Sequence, residues 1–322
     1  MDKFNDFIGG HLNIDITKNC TLECPRCMRR KVSSVNFDNI SMVNFKKVLK
    51  HFHSITFCGN QSDPIFHPQF IEFLKLCANK TIFIDTAASH KPMNWYIDAF
   101  KANPNAKWRF GIDGLPKDSN KYRINQDGEY LFEVMKKARE MDMIVYWQYI
   151  IFKYNENDID EAREIAKKYG MIFETLKSSR WKKTVFDPYK PSEEFVAAKH
   201  HLGQVTTTFK PKCFYKKALF LNAQGYMSPC CWTDPIYKKT SRYEGGHEGI
   251  SDLFKEKLNI KNVSSISEIL LSDEWIYLFN KLNEERDIPE VCARHCTKGP
   301  DKIWDEPGLG GRKLNYGVPA NG

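Results

Sequence analysis

The first 180 residues alternate between two periods of hydrophobicity. Short runs rich in Ile, Phe, Val and Tyr read as strands: HLNIDIT (11–17), SITFC (54–58), TIFIDT (81–86), KWRFGID (107–113), MIVYWQYIIF (143–152) and MIFETLK (171–177). Between them, apolar residues recur three and four positions apart. Ser41 is placed to cap a helix whose Met42, Phe45, Val48, Leu49 and Phe52 share a face. Pro68 suits the first turn of another, with Phe70, Leu74 and Cys77 on one stripe. Further helices are predicted at 93–102, 128–141 and 157–169, the last ending at Gly170. Six strands interleaved with five helices predict a parallel sheet with right-handed crossovers, open or partly rolled into a barrel. Functional groups on such sheets gather at the carboxyl ends of the strands.

Beyond residue 180 this rhythm stops. KSSRWKKTVFDPYKPSEEF (177–195) is a basic, Pro-containing bridge. Its Lys177, Arg180, Lys182 and Lys183 beside Trp181 read either as an anion-holding set or as a solvated linker. CFYKKALFLNAQGYMSPCCW (213–232) reads as a hairpin turned at Ala223–Gly225, with cysteines at both ends. SISE (265–268) is a capping box, and Trp275, Leu278, Phe279 and Leu282 mark an amphipathic helix leading to CARHC (292–296). The expected division is a barrel over 1–180, a linker over 181–210, a second module over 211–305 and an irregular tail over 306–322.

Length agrees with that division, since 322 residues allow roughly two domains. Apolar residues make up 42% and charged residues 27%, which are globular values. The start shows no basic head followed by an apolar run, and no run reaches membrane-spanning length, so a soluble cytoplasmic protein is expected. Lys plus Arg exceed Asp plus Glu by 48 − 40 = 8, a mild basic bias that leaves nucleic acid open as a partner. Ten cysteines in a reducing compartment point to metal or catalysis rather than to a disulfide framework. Cys58 and Cys77 stand alone in apolar runs and read as packing residues.

Residues 20–27, CTLECPRC, follow the first strand and hold three thiols in eight positions. A cubane iron–sulfur cluster has four irons, normally held by four cysteine thiolates. Three thiolates from one loop leave the fourth iron with an open position, which a reactive site keeps and a structural site closes. The alternative is a zinc loop that borrows a remote ligand. This C-x3-C-x2-C loop after a first strand resembles the radical S-adenosylmethionine superfamily. The resemblance implies a partial (β/α)6 TIM-like barrel in which Cys20, Cys24 and Cys27 hold a 4Fe-4S cluster. It also implies that the open iron binds S-adenosyl-L-methionine, whose reductive cleavage gives methionine and a hydrogen-abstracting 5′-deoxyadenosyl radical.

Three further stretches carry the resemblance. QSDPIFHP (61–68) is similar to the family's GGEPLLHP, with Gln61 and Ser62 in place of glycines and Asp63 in place of Glu. That match implies a hold on the methionine amino group by Asp63 and Gln61. IDGLPKDSNKYR (112–123) is similar to the stretch after the fourth strand, where Arg123 fits the arginine that meets the cofactor carboxylate. Gly111 stands there in place of a serine. WQYIIFKYNEND (147–158) is similar to the strand abutting the adenosine, with Gln148 and Asn155 as candidates.

Cys213, Cys230, Cys292 and Cys296 can complete a second cubane with no open iron, leaving Cys231 spare. A four-cysteine zinc ribbon would use the same ligands. The set resembles the twitch auxiliary-cluster module, related to SPASM, and so implies a small α+β auxiliary iron–sulfur cluster domain after the barrel. The chain as a whole then resembles a radical S-adenosylmethionine oxidoreductase or maturase with two 4Fe-4S clusters. Its implied partners are a peptide or small-molecule substrate and a one-electron reductant such as a flavodoxin or ferredoxin. The competing reading is a non-catalytic zinc- or cluster-stabilised module that binds nucleic acid or an acidic partner.

Overall fold

The computed structural model describes residues 9–31, 39–60, 62–178, 181, 187–196, 208–234 and 250–298. Six strands lie where the apolar runs predict: β1 (Gly9–Ile14), β2 (Phe52–Phe57), β3 (Thr81–Thr86), β4 (Lys107–Gly111), β5 (Ile144–Ile150) and β6 (Ile172–Leu176). Between them run α1 (Met42–Leu49), α2 (Phe70–Leu76), α3 (Met93–Ala102), α4 (Gly128–Glu140) and α5 (Ile159–Lys168). Every neighbouring pair from β1 to β6 is parallel. Ser41 caps α1 as predicted, its hydroxyl accepting the Asn44 amide at 3.2 Å. The chain is a partial (β/α)6 barrel.

Alternation along the strands sets two different surfaces. Trp108 of β4 faces outward, where its ring meets Phe100 of α3 at 5.0 Å and Phe70 of α2 at 6.3 Å. Phe45 of α1 stacks on Phe73 of α2 at 4.0 Å. Truncating a buried aromatic of this kind costs about 3–5 kcal/mol. One residue along from Trp108, Arg109 faces the interior and is only 2% exposed. It pairs with Asp85 of β3 at 2.7 Å and Glu174 of β6 at 2.9 Å. The interior is therefore polar and cross-linked by charge rather than filled by aliphatic side chains.

The fourth strand ends two residues earlier than its apolar run suggested. Asp113 explains this, because its carboxylate takes the Ile150 amide at 2.8 Å and substitutes for a ladder carbonyl.

The second half contains β7 (Thr208–Phe209), α6 (Lys212–Tyr215), β8 (Ala218–Leu221), β9 (Met227–Ser228), α7 (Ile266–Leu270), α8 (Asp273–Asn283), α9 (Glu290–Cys296) and β10 (Thr297–Lys298). The predicted hairpin exists as β8 and β9, turned at Gly225, whose φ of 92° glycine adopts without strain. A Cβ there would also lie 2.5 Å from Asn259 Oδ1. The hairpin does not stand apart. β8 pairs parallel with β1, giving one eight-stranded sheet in the order β6-β5-β4-β3-β2-β1-β8-β9. β10 pairs with β7 and returns the end of α9 to the start of α6. Among the described residues, no helix is long and apolar enough to cross a membrane.

Candidate functional site

The C-x3-C-x2-C loop leaves the carboxyl end of β1 and is held by the neighbouring strand-end loops. Asp63 after β2 donates its amide to the Asn19 carbonyl at 3.0 Å. His90 after β3 meets Thr21 at 2.8 Å, and Glu23 donates its amide to Ile124, after β4, at 3.0 Å. Arg26, inside the loop, pairs at 2.6 Å with the buried Asp187 of the bridging segment. Leu22 and Met28 sink into the core on either side. Between these anchors Cys20, Cys24 and Cys27 stay half-buried.

Electrostatics show the three thiols as neighbours, since Cys24 interacts with both Cys20 and Cys27. Burial pushes the Cys20 thiol up to about 12, helped by Asp63. Burial likewise pushes Cys24 up to about 11, against the pull of the Arg123 guanidinium beside it. Such thiols are poor free nucleophiles and are better suited to a strong cationic acceptor. Three soft sulfur donors on one anchored loop fit an iron–sulfur cluster.

Arg123 is half-buried and pairs with the fully buried Asp113 at 2.8 Å. Its guanidinium lies across Gly111, where a Cβ would come within 2.6 Å of Nη2. The glycine standing in the serine position thus leaves room for Arg123. Asp63 is buried, and its carboxylate accepts the amides of Ile65, Ala87 and Ala88 and the Thr86 hydroxyl at 2.8–3.3 Å. Its side chain ties the loop after β2 to the end of β3. Gln61 lies outside the described residues. Gln148, on β5, has a buried Nε2 with no hydrogen-bond partner and is in register with Gly111. Asn155 is fully buried and closes its own turn, accepting the Phe152 amide at 2.7 Å and donating to the Ile150 carbonyl at 3.1 Å.

The second cysteine set is assembled from three elements. Cys213 lies on α6, Cys230 follows β9, and Cys292 and Cys296 lie four residues apart on α9, hence on one face. The final pair, expected after a helix, is part of one. Phe214 of α6 stacks on Phe279 of α8 at 5.0 Å, which seats the helix that carries Cys213. The Lys210 amide donates to the Cys296 carbonyl at 2.8 Å and fixes the far end. Electrostatic interactions connect Cys213 with Cys230, Cys292 and Cys296, Cys292 with Cys230 and Cys296, and Cys296 with Cys230. All four thiols are therefore mutual neighbours, a donor set that fits a closed cluster. Among the described residues, no three His, Cys, Asp or Glu side chains group closely enough to hold a single metal ion.

Cys231 takes a different direction and interacts with Cys58. Cys77 is core, as its apolar run implied. Cys58 is not a simple packing residue: it directly follows β2 between Asp15 and Asp85, with its sulfur 3.5 Å from Asp15 Oδ1. This contact and the Arg109 pairs were missed in the sequence. An arginine between Trp108 and Phe110 on an apolar strand was the available sign of a charged interior. Of the basic bridge, Lys177 donates to the Glu194 carbonyl at 2.6 Å and Trp181 meets Phe152 edge-on at 5.9 Å. Arg180, Lys182 and Lys183, and the tail from 306, lie outside the described residues.

No family model matches the chain, and no curated protein sequence matches it. Solved structures do. Streptococcus suis SuiB bound to S-adenosylmethionine is 12% identical with a TM-score of 0.53, covering 88% of this chain and 77% of its own. SuiB bound to its precursor peptide SuiA is 12% identical at 0.55, covering 90% and 77%. Native anSMEcpe with bound AdoMet and the Cp18Cys peptide is 10% identical at 0.53, covering 83% and 82%. At these identities the likeness is one of fold.

Proposed function

We propose that this chain is a radical S-adenosylmethionine enzyme with two 4Fe-4S clusters, the second in a twitch-like module, acting on a peptide or small-molecule substrate. The observation that carries this reading is the loop of Cys20, Cys24 and Cys27, anchored at the strand ends with Arg123 beside it. Fold neighbours with bound S-adenosylmethionine support the cofactor, and those with bound peptide support the substrate class.

Under this reading Cys20, Cys24 and Cys27 hold the first cluster and Cys213, Cys230, Cys292 and Cys296 the second. Held there and reduced, such a cluster would supply the electron for reductive cleavage of S-adenosylmethionine. The protein's own work is placement and exclusion of water. Arg123 offers a fixed positive charge for the cofactor carboxylate, with Asp113 setting its direction. Gln148 has an unspent amide donor for the adenosine side, and Asn155 shapes the turn next to it. Asp63 holds the loop whose backbone, with Gln61, meets the methionine amino group. The substrate takes the polar interior around Asp15, Cys58, Asp85, Arg109 and Glu174. Cys213, Cys230, Cys292 and Cys296 would hold a second cluster able to assist oxidation or bond formation, with a flavodoxin- or ferredoxin-like protein as electron donor.

Anaerobic reconstitution tests the reading. About eight irons per chain, four per cubane, and release of 5′-deoxyadenosine on reduction with S-adenosylmethionine are expected. Tightly bound zinc with no iron would overturn the reading in favour of a non-catalytic binding module.

A further inference from the structure

The four thiols of the second set have unequal surroundings. The Cys230 sulfur receives the amide N–H groups of Trp232 and Thr233. Thr233 is fully buried, with its hydroxyl 4.0 Å from that sulfur and 2.7 Å from the Cys230 carbonyl. The Cys296 sulfur receives the Lys212 amide. The Lys212 side chain, half-buried, interacts electrostatically with Cys296, Cys230 and Cys231. Cys213 and Cys292 are almost completely buried, at 8% exposure each. Donors and positive charge thus collect on one edge. From that same edge Cys231 reaches Cys58, which lies between Asp15 and Asp85 at the end of β2.

We infer that Lys212 and the donors to Cys230 bias the second cluster toward accepting an electron on its Cys230–Cys296 edge, next to the Cys231 that interacts with Cys58. This rests on the assignment of a cubane to the four thiols. Adding one electron to such a cluster adds one negative charge and needs no proton. A nearby ammonium and N–H groups aimed at ligand sulfurs stabilise that charge, and so raise the reduction potential. Electrons drawn from a substrate radical would then have a favourable destination next to the interior where the radical forms. Lys212 is a positioning residue for charge; it touches neither cofactor nor substrate in this account.

The test uses the full chain carrying Cys20→Ala, Cys24→Ala and Cys27→Ala, so that only the second set binds iron. Its potential is read by EPR-monitored titration with dithionite and mediators. Lys212→Met is expected to lower the reduction equilibrium constant about tenfold, a shift of about −59 mV for a one-electron couple. Lys212→Arg should keep the parent value, and Thr233→Val should shift it less than Lys212→Met, in the same direction. Equal potentials in the parent and Lys212→Met would overturn the inference and leave the cluster assignment standing. Equal shifts in Lys212→Met and Lys212→Arg would also overturn it, because a packing change rather than charge would be responsible. A parent protein that binds no iron would overturn both. Should Lys212→Met fail to load iron, Thr233→Val decides by the same criterion.

Discussion

The two cysteine sets of this protein are built in opposite ways. Cys20, Cys24 and Cys27 come from a single eight-residue loop, stay half-buried, and are held in place from outside by hydrogen bonds to three other strand-end loops. Cys213, Cys230, Cys292 and Cys296 come from two helices and a hairpin end, and surround one another. The first arrangement supplies three donors and leaves one face to something else. The second supplies four and encloses them. The first set rests on strand-end loops of the parallel sheet, whereas the second is closed by α6, α9 and the end of the β8–β9 hairpin.

The sharpest way to break this comparison is to remove one thiol from each set. Cys24→Ala should abolish 5′-deoxyadenosine formation and lower iron from about eight to about four per chain. Cys292→Ala should lose a similar amount of iron yet still cleave S-adenosylmethionine, measured as 5′-deoxyadenosine by chromatography. If both variants lose cleavage equally, the division of labour is wrong. Cys231→Ser should leave the iron content of both sets unchanged.

A second test concerns the scaffold behind the first set. Arg109→Met removes the guanidinium that pairs with Asp85 and Glu174 in the barrel interior and should cost about 3 kcal/mol in denaturant unfolding. A smaller loss is expected at the rim. Gly111→Ser places a Cβ against Arg123, so about 1–3 kcal/mol of overpacking strain should appear. The same variant should weaken S-adenosylmethionine binding, measured by calorimetry, because Arg123 must move.

The smallest effect belongs to the second module. Glu274 of α8 lies 2.7 Å from the Lys257 ammonium, which brings its carboxyl down from 4.5 to about 2. A carboxylate favoured in the folded state stabilises above its ordinary value and loses that contribution as pH falls toward 2. Acid unfolding of Glu274→Gln should therefore show a flatter limb between pH 4.5 and 2 than the parent. Variants at Cys20, Cys24 and Cys27 leave the Lys257–Glu274 pair intact and should not change that limb.

Much of this was legible in the sequence. Six strands and five helices followed from period alone, because a barrel built of βα units must repeat apolar runs of two kinds. Boundaries slipped where side chains took over backbone duties, as Asp113 does at the end of β4. The hairpin was legible from its turn, but its pairing with β1 was not, since register between distant segments leaves no local mark. The cysteines announced themselves by spacing. Cys58 did not, because a thiol at the end of an apolar strand looks like packing until the fold places Asp15 and Asp85 on either side. Lys212 was likewise invisible among the lysines near it in sequence, Lys210, Lys216 and Lys217, until helix α9 brought Cys296 back to it.

The most direct measurement uses the chain with Cys213→Ala and Cys292→Ala, so that only the strand-end loop carries a cluster. EPR of the reduced protein is recorded before and after adding S-adenosylmethionine. The account predicts about four irons and a signal that changes when S-adenosylmethionine occupies the iron left without a cysteine. Four irons with a signal indifferent to S-adenosylmethionine, or zinc in place of iron, would contradict it.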